Sequence, residues 1–423
     1  MNRRALLLAG SGLALGACTP AVEPVAQPKG FDPKDWASVR AQFALAPGFA
    51  NFAAFVLASH PAPVRQAIAR HREGLDADFE GYRGTDDAEI SAAAARFLGG
   101  KEGQVALTDS TTMGLSLLYT GFRLEPGQDV LTTEHDFLAT HEALRMLAAR
   151  TGAAVRKVRL YDDPAKASVD RIVSAVKAGI RPRTRIVAIT WVHSSTGVRL
   201  PVRAIADMIA EVNKDRDEKD RALLCVDGVH GFGAIADGVD DLGCDFLSSG
   251  THKWLFGPRG TGILWARSWA PLDPVIASFS AEASEAWFSG SPTVAPSAAL
   301  ITPGGYKAFE HRWAMPDAFA FQEAIGKERI QQRTQDLATR LKNGLAGMTS
   351  LRLVTPVSPD LSAGLVCCSV AGTMAGNIMM TLRDKHKIIA SVTPYREQYL
   401  RFGTSMVNTP EQVDQLIKAL TTL

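Results

Sequence analysis

From about residue 100 onward the chain is predicted to be an α/β protein. It should have a mostly parallel central sheet covered by helices on both faces, followed by a smaller α+β C-terminal region. Three observations predict this. Apolar strand-like runs alternate with helical segments between residues 104 and 227. The best of those runs, Arg185-Ile-Val-Ala-Ile-Thr190 and Ala222-Leu-Leu-Cys-Val-Asp227, are nearly continuous in Val, Ile and Leu, as strands buried on both faces are. After Pro303 the texture changes to a long helical stretch, then short strands and a last helix.

In order, strands are predicted over 104–108, 129–133, 154–160, 185–190 and 222–227, and helices over 112–121, 139–150, 169–178 and 201–212. The helix over 169–178 spaces Val169, Ile172, Val173 and Val176 along one face. Beyond Pro303 one long helix is expected over 318–348 and a final one over 411–422. A large domain over 61–305 and a small one over 306–423 follow, with residues 35–60 packing against the small one. The stretch Phe49 to Phe55 should cross back near the functional site.

With 423 residues the chain can bury a large core, and 46% hydrophobic with 21% charged residues is ordinary for a folded enzyme. A formal net charge of +2 provides no long-range field for nucleic acid or an anionic membrane surface. The run from Lys214 to Arg221 mixes both signs and reads as solvated. Cys225, Cys244, Cys367 and Cys368 show no metal-ligand spacing, and the adjacent pair would point to opposite faces of a strand. They read as small hydrophobes.

The first 18 residues read as a targeting segment. Arg3-Arg4 precedes an apolar run from Ala5 to Ala17 that is too short to span a bilayer. The pattern predicts twin-arginine export to the periplasm, with the translocation machinery as a partner. Leu15-Gly-Ala-Cys18 also fits a lipoprotein box that would anchor the chain through Cys18, the alternative being a plain secretory signal. Residues 19–34 form a Pro/Ala-containing linker.

The chemistry is concentrated in Ser248-Ser-Gly-Thr-His-Lys253-Trp-Leu-Phe-Gly-Pro-Arg-Gly-Thr-Gly262, one strand and turn after Asp227. Singly, a Lys in a Gly/Thr loop is usually a solvated charge, and an Asp before Gly usually starts a turn. Here both are expected at the C-terminal ends of strands, where open α/β sheets bind ligands. A buried Lys amine that sheds its proton forms Schiff bases, and a buried acid suits the pyridine nitrogen of pyridoxal 5'-phosphate (PLP). A nicotinamide-binding protein is the poorer reading, because no G-x-G-x-x-G follows an early strand.

Together with Thr251-His-Lys-Trp254 and Phe309-Glu-His-Arg-Trp313, these segments make the chain resemble the class V aminotransferase family from about Asn51 to the C-terminus. Those are fold type I PLP enzymes. The resemblance is greatest to an isopenicillin N epimerase-like group that includes an exported pyoverdine-tailoring enzyme. It implies that Lys253 carries the cofactor and moves the Cα proton, that Asp227 faces the pyridine nitrogen, and that His230 bonds the phenolic oxygen. It further implies that His135 stacks on the cofactor ring and that Thr111, Thr112 and His252 hold its phosphate. Arg401 would bind the substrate carboxylate, with Ser194 standing where many relatives place an Asn.

Two departures stand out. No Cys lies within 385–393, where desulfurases carry their nucleophile. Arg312-Trp313 replaces the usual Gly-Thr that reaches the phosphate across a homodimer interface. Tyr82 and Arg83 are further candidates for lining the pocket. The resemblance implies a homodimer acting on an amino acid or peptide-borne amine, by transamination or a related tailoring step. The alternatives are epimerisation or carbon–sulfur lysis and, in another class, an inactive binding lipoprotein on the same fold.

Overall fold

The computed structural model describes residues 30–290 and 295–422; Arg3-Arg4, Cys18 and linker residues 19–29 lie outside the described residues. Its main sheet has seven strands: β1 (Val105–Thr108), β2 (Asp129–Thr133), β3 (Val155–Val158), β4 (Thr184–Thr190), β5 (Leu223–Asp227), β6 (Phe246–Gly250) and β7 (Gly262–Ala266). Their order across the sheet is β1-β7-β6-β5-β4-β2-β3. Neighbours are parallel except at β7, which runs antiparallel to both β6 and β1.

The continuous apolar runs of the sequence have a simple cause: alternate residues feed two cores. Val187, Ile189, Leu224 and Val226 pack on one face with the helices Asp87–Phe97, Val169–Gly179, Val202–Val212 and Met315–Ile325. Ile186, Ala188, Leu223 and Cys225 pack on the other with the helices Thr111–Gly121 and Leu138–Thr151. Along β4 and β5 only Arg185, at the start of β4, is partly exposed, and the positions that follow it are apolar until the strand ends. All four cysteines among the described residues are buried and free.

The C-terminal region contains a four-stranded antiparallel sheet of β8 (Leu351–Leu353), β9 (Leu365–Val370), β10 (Ser391–Val392) and β11 (Leu400–Gly403), in the order β10-β11-β9-β8. The helices Lys327–Ala346, Ala375–His386 and Pro410–Thr421 pack against it. The expected single helix over 318–348 is in fact two, Met315–Ile325 and Lys327–Ala346. Gly326 separates them with φ +96°, a left-handed conformation that stops the first helix.

Residues 49–55 cross back as the sequence predicts. Ala50–Asn51 pairs in parallel with Ile388–Ile389. Phe52 accepts a hydrogen bond from the Gly403 N–H at 2.6 Å and packs edge-on against Phe402. That register delivers Phe55 to the end of the main sheet.

Lys342, on the helix Lys327–Ala346, is only 1% exposed and has no carboxylate partner among the described residues. Its amine donates to the carbonyls of Pro356 (3.3 Å) and Val357 (2.8 Å) and to Ser362 Oγ (2.6 Å). Burial pushes its pKa from 10.5 down to about 8. Between those values the unfolded chain binds the extra proton, so Lys342 makes the fold more stable as pH rises from about 8 to about 10.5. In urea unfolding, wild type should gain up to about 3 kcal/mol on Lys342→Met across that range; parallel stability curves would contradict this.

Candidate active site

The polar residues begin where the strands stop. Asp227 ends β5, Lys253 lies in the turn between β6 and β7, His135 follows β2, and Thr111 opens the helix after β1. All lie beyond the carboxyl edge of the sheet, where such sheets place ligands.

Asp227 is 2% exposed, and its Oδ1 accepts one hydrogen bond, from the Val229 N–H at 3.0 Å. Burial pushes its pKa up to about 7, with Asp136 adding to the effect and the Val229 bond and Lys253 opposing it. Lys253 moves the other way, to about 8, chiefly through burial; Asp227 opposes that shift and Arg401 assists it. Each group therefore sits near the point of changing charge, as groups at functional sites often do. Among the described residues no hydrogen bond engages the Lys253 amine.

His230 accepts the Trp254 indole N–H on Nδ1 at 3.0 Å, so the proton of its neutral ring is on Nε2, ready to be donated. Burial, Lys253 and Arg401 all hold this ring neutral. Trp254 stacks on Phe55 at 5.5 Å and 13°, and Phe55 also lies 4.9 Å beneath the Arg401 guanidinium. His135 accepts the Leu160 N–H on Nε2 at 3.2 Å and stacks on Tyr161, with centroids 3.9 Å apart and planes 17° from parallel. Burial foremost, then His193, lowers its pKa to about 4.

A second corner is built to hold an anion. Ser110 caps the helix Thr111–Gly121 by accepting the Met113 N–H, and Thr111 Oγ1 accepts the Gly250 N–H at 2.7 Å. Beside them the buried His252 Nδ1 has no hydrogen-bond partner among the described residues. A Cβ on Gly250 would lie 2.8 Å from the His252 ring and 3.3 Å from Thr111 Oγ1, so Gly250 keeps this corner open. A helix start, a threonine hydroxyl and an unsatisfied imidazole nitrogen fit a phosphate. With Asp227 and Lys253 they fit PLP as a whole. Thr112 is exposed and its side chain makes no hydrogen bond among the described residues.

The third corner is cationic. Arg401 on β11 is 7% exposed; Nε donates to Ser391 Oγ and Nη1 to the Ser194 carbonyl, each at 3.1 Å. Among the described residues no carboxylate pairs with it. A buried guanidinium with one amino group uncommitted suits a ligand carboxylate. Ser194 lies beside Arg401, and its hydroxyl meets the Tyr395 hydroxyl at 2.7 Å.

Other candidates lie elsewhere. Tyr82 bonds His71 Nδ1 at 2.8 Å and packs beside Trp313, while Arg83 donates to the Glu80 carbonyl. Neither touches the corners above, because the local loop and helix ends absorb their polar groups. Arg312 is buried and donates to Asp87 Oδ2 at 2.7 Å. Sequence reasoning missed Asp136, Tyr161, His193 and Tyr395. Asp136 and Tyr161 stand just past strand ends, close to the kind of position that did reveal Asp227. Asp136 accepts from Thr132 Oγ1, the Thr133 N–H and Thr190 Oγ1, which fixes the turn that carries His135.

The electrostatics of the pair carry a test. With cofactor removed, the rate at which Lys253 recaptures PLP should rise with pH and reach half its maximum near pH 8. Asp227→Asn removes the charge that favours the ammonium, so the midpoint should move to lower pH. Stopped-flow absorbance checks this; an upward move would contradict the pairing.

The sequence model of the family described as aminotransferase class-V matches residues 70–416. Isopenicillin N epimerase of Streptomyces clavuligerus is 28% identical over 344 residues, 78% of this chain and 82% of that protein. The enzyme of the same name from Amycolatopsis lactamdurans is 26% identical over 405 residues, 91% and 98% of the two chains. A cysteine desulfurase of Cronobacter sakazakii is 25% identical over 358 residues, 78% of this chain and 80% of its own length. Among solved structures, a mutant of C-DES with glycine covalently linked to PLP superposes with a TM-score of 0.78 at 18% identity, over 90% of this chain and 98% of that one. A cysteine desulfurase of Thermococcus onnurineus gives 0.75 at 18% identity, over 91% and 97%. The chain is a PLP-dependent enzyme of fold type I and belongs to the aminotransferase class V family.

Proposed function

We propose that the protein acts on α-amino carboxylates by taking the Cα proton and returning it to the same carbon, so that the amino acid or peptide-borne residue is epimerised. The observation that carries this reading is the convergence of three groups: a half-neutral amine at Lys253, a buried acid at Asp227 and an unpaired guanidinium at Arg401. Arg401 would receive the carboxylate as a fork, fixing the Cα–H bond relative to Lys253. Lys253, with its pKa near neutral, can accept and return a proton at working pH. Bound PLP supplies the electron sink for the pair left at Cα. Asp227 would favour a proton on the pyridine nitrogen, and His230 would donate from Nε2.

The two epimerases of similar length favour this outcome. Desulfuration through a protein thiol is disfavoured. The loop 385–393 has no Cys, and burial pushes the thiols of Cys367 and Cys244 up to about 12 and those of Cys225 and Cys368 upward as well. Transamination needs the same groups and differs in where the proton is delivered. Export is part of the proposal and is supported by Arg3-Arg4 and the apolar run behind it.

Incubation of holoenzyme with D- and L-amino acids and amine-bearing peptides in D₂O separates the outcomes. Epimerisation predicts deuterium at Cα, decay of optical rotation and no keto product. A keto product with pyridoxamine phosphate would replace this reading with transamination. Borohydride reduction should fix the cofactor on Lys253 and on no other lysine, as peptide mass mapping will show. Arg401→Ala should raise KM about 10- to 100-fold, the loss expected for a charged hydrogen bond; an unchanged KM would remove Arg401 from substrate binding.

A further inference from the structure

We propose that Tyr161 is a positioning residue that joins the two halves of the site, backing the cofactor-facing His135 with its ring and holding the carboxylate-binding turn with its hydroxyl. This rests on the reading that His135 covers the cofactor and Arg401 takes the carboxylate.

The ring of Tyr161 covers one face of His135 at 3.9 Å, nearly parallel, and the neighbouring Leu160 N–H fixes the edge of the same imidazole. Two consecutive residues beyond β3 thus set both the tilt and the rotation of His135. The Tyr161 hydroxyl is buried and meets His193 Nδ1 at 2.8 Å and Thr196 Oγ1 at 3.0 Å. His193 and Thr196 bracket Ser194, whose carbonyl accepts from Arg401 and whose hydroxyl meets Tyr395.

The bonds have a direction. His193 is fully buried, and burial lowers its pKa to about 3, so it is neutral. Its Nε2 has no hydrogen-bond partner among the described residues and lies 3.9 Å from Asp136 Oδ1. A proton on Nε2 faces that carboxylate favourably, whereas a lone pair there would be repelled. Nδ1 is therefore the acceptor and Tyr161 the donor. Thr196 takes the Val198 N–H at 3.4 Å and gives its own proton to Tyr161. The chain from Thr196 through Tyr161 to His193 leaves no choice of orientation. Gly197 closes the turn at φ +74°, where a Cβ would come within 2.7 Å of the Leu365 carbonyl. The turn has little room to adjust if the Tyr161 hydroxyl is lost.

The test uses full-length holoenzyme and two probes, aminooxyacetate, which carries a carboxylate, and methoxyamine, which does not. Both discharge PLP from the lysine with a change in absorbance, and the ratio of their rate constants isolates carboxylate recognition without turnover. Tyr161→Phe and Thr196→Val should each lower the aminooxyacetate rate about fivefold, as loss of a neutral buried bond implies, with the methoxyamine rate and PLP dissociation constant within about twofold of wild type. Tyr161→Leu removes the stack and should raise the PLP dissociation constant about tenfold in equilibrium dialysis. If Tyr161→Leu does not fold, Tyr161→Phe decides alone. An equal effect of Tyr161→Phe on both probes, or on neither, overturns the proposal. Arg401→Ala is the control: if it leaves the probe ratio unchanged, the carboxylate assignment itself has failed, independently of Tyr161.

Discussion

The site depends on two opposite charges withheld from water. Burial pushes the Asp227 acid up and the Lys253 amine down, and each partly reverses the other's shift. Neither would be at its value alone. An isolated buried lysine would stay neutral and an isolated buried acid would stay protonated. The sheet enforces the pairing: Asp227 ends β5, and β6 beside it runs on into the turn of Lys253. Helices on both faces then exclude water from the strand ends, which keeps the local dielectric low enough for small changes in charge to matter.

Much of this was legible in the sequence, for a physical reason. Strands that feed a core on each face must be apolar along their length, so a polar residue at the last position is informative. Asp227 was found in that way and Lys253 by the glycines and hydroxyls of its turn, whereas His135 and Thr111 were implied by the family resemblance. The break at Gly326 was missed because one glycine within a long helical pattern is usually tolerated. Asp136 and Tyr161 stand just past strand ends, but the partners that give them and His193 a role lie 32 to 54 positions away, which no local pattern encodes. Tyr82 and Arg83 were candidates for the pocket lining, yet the Tyr82 ring packs against Gly74, where a Cβ would meet it, and the Trp313 ring against Gly84 in the same way.

The walls are held as carefully as the reacting groups. Phe55 lies between Trp254 and Arg401, and Trp254 in turn fixes the tautomer of His230. An apolar ring beneath a guanidinium strengthens its bonds to anions by keeping water away. One aromatic residue near the N-terminal end of the described chain thus bears on both the cofactor side and the substrate side.

The pairing of Ala50–Asn51 with Ile388–Ile389 also sets an order of events in synthesis. The strand made early has no partner until most of the polypeptide has left the ribosome, so closure is a late, long-range step of high contact order. Phe55 reaches its place only then. A nascent chain can build the main sheet before that point, but it cannot yet possess a finished pocket.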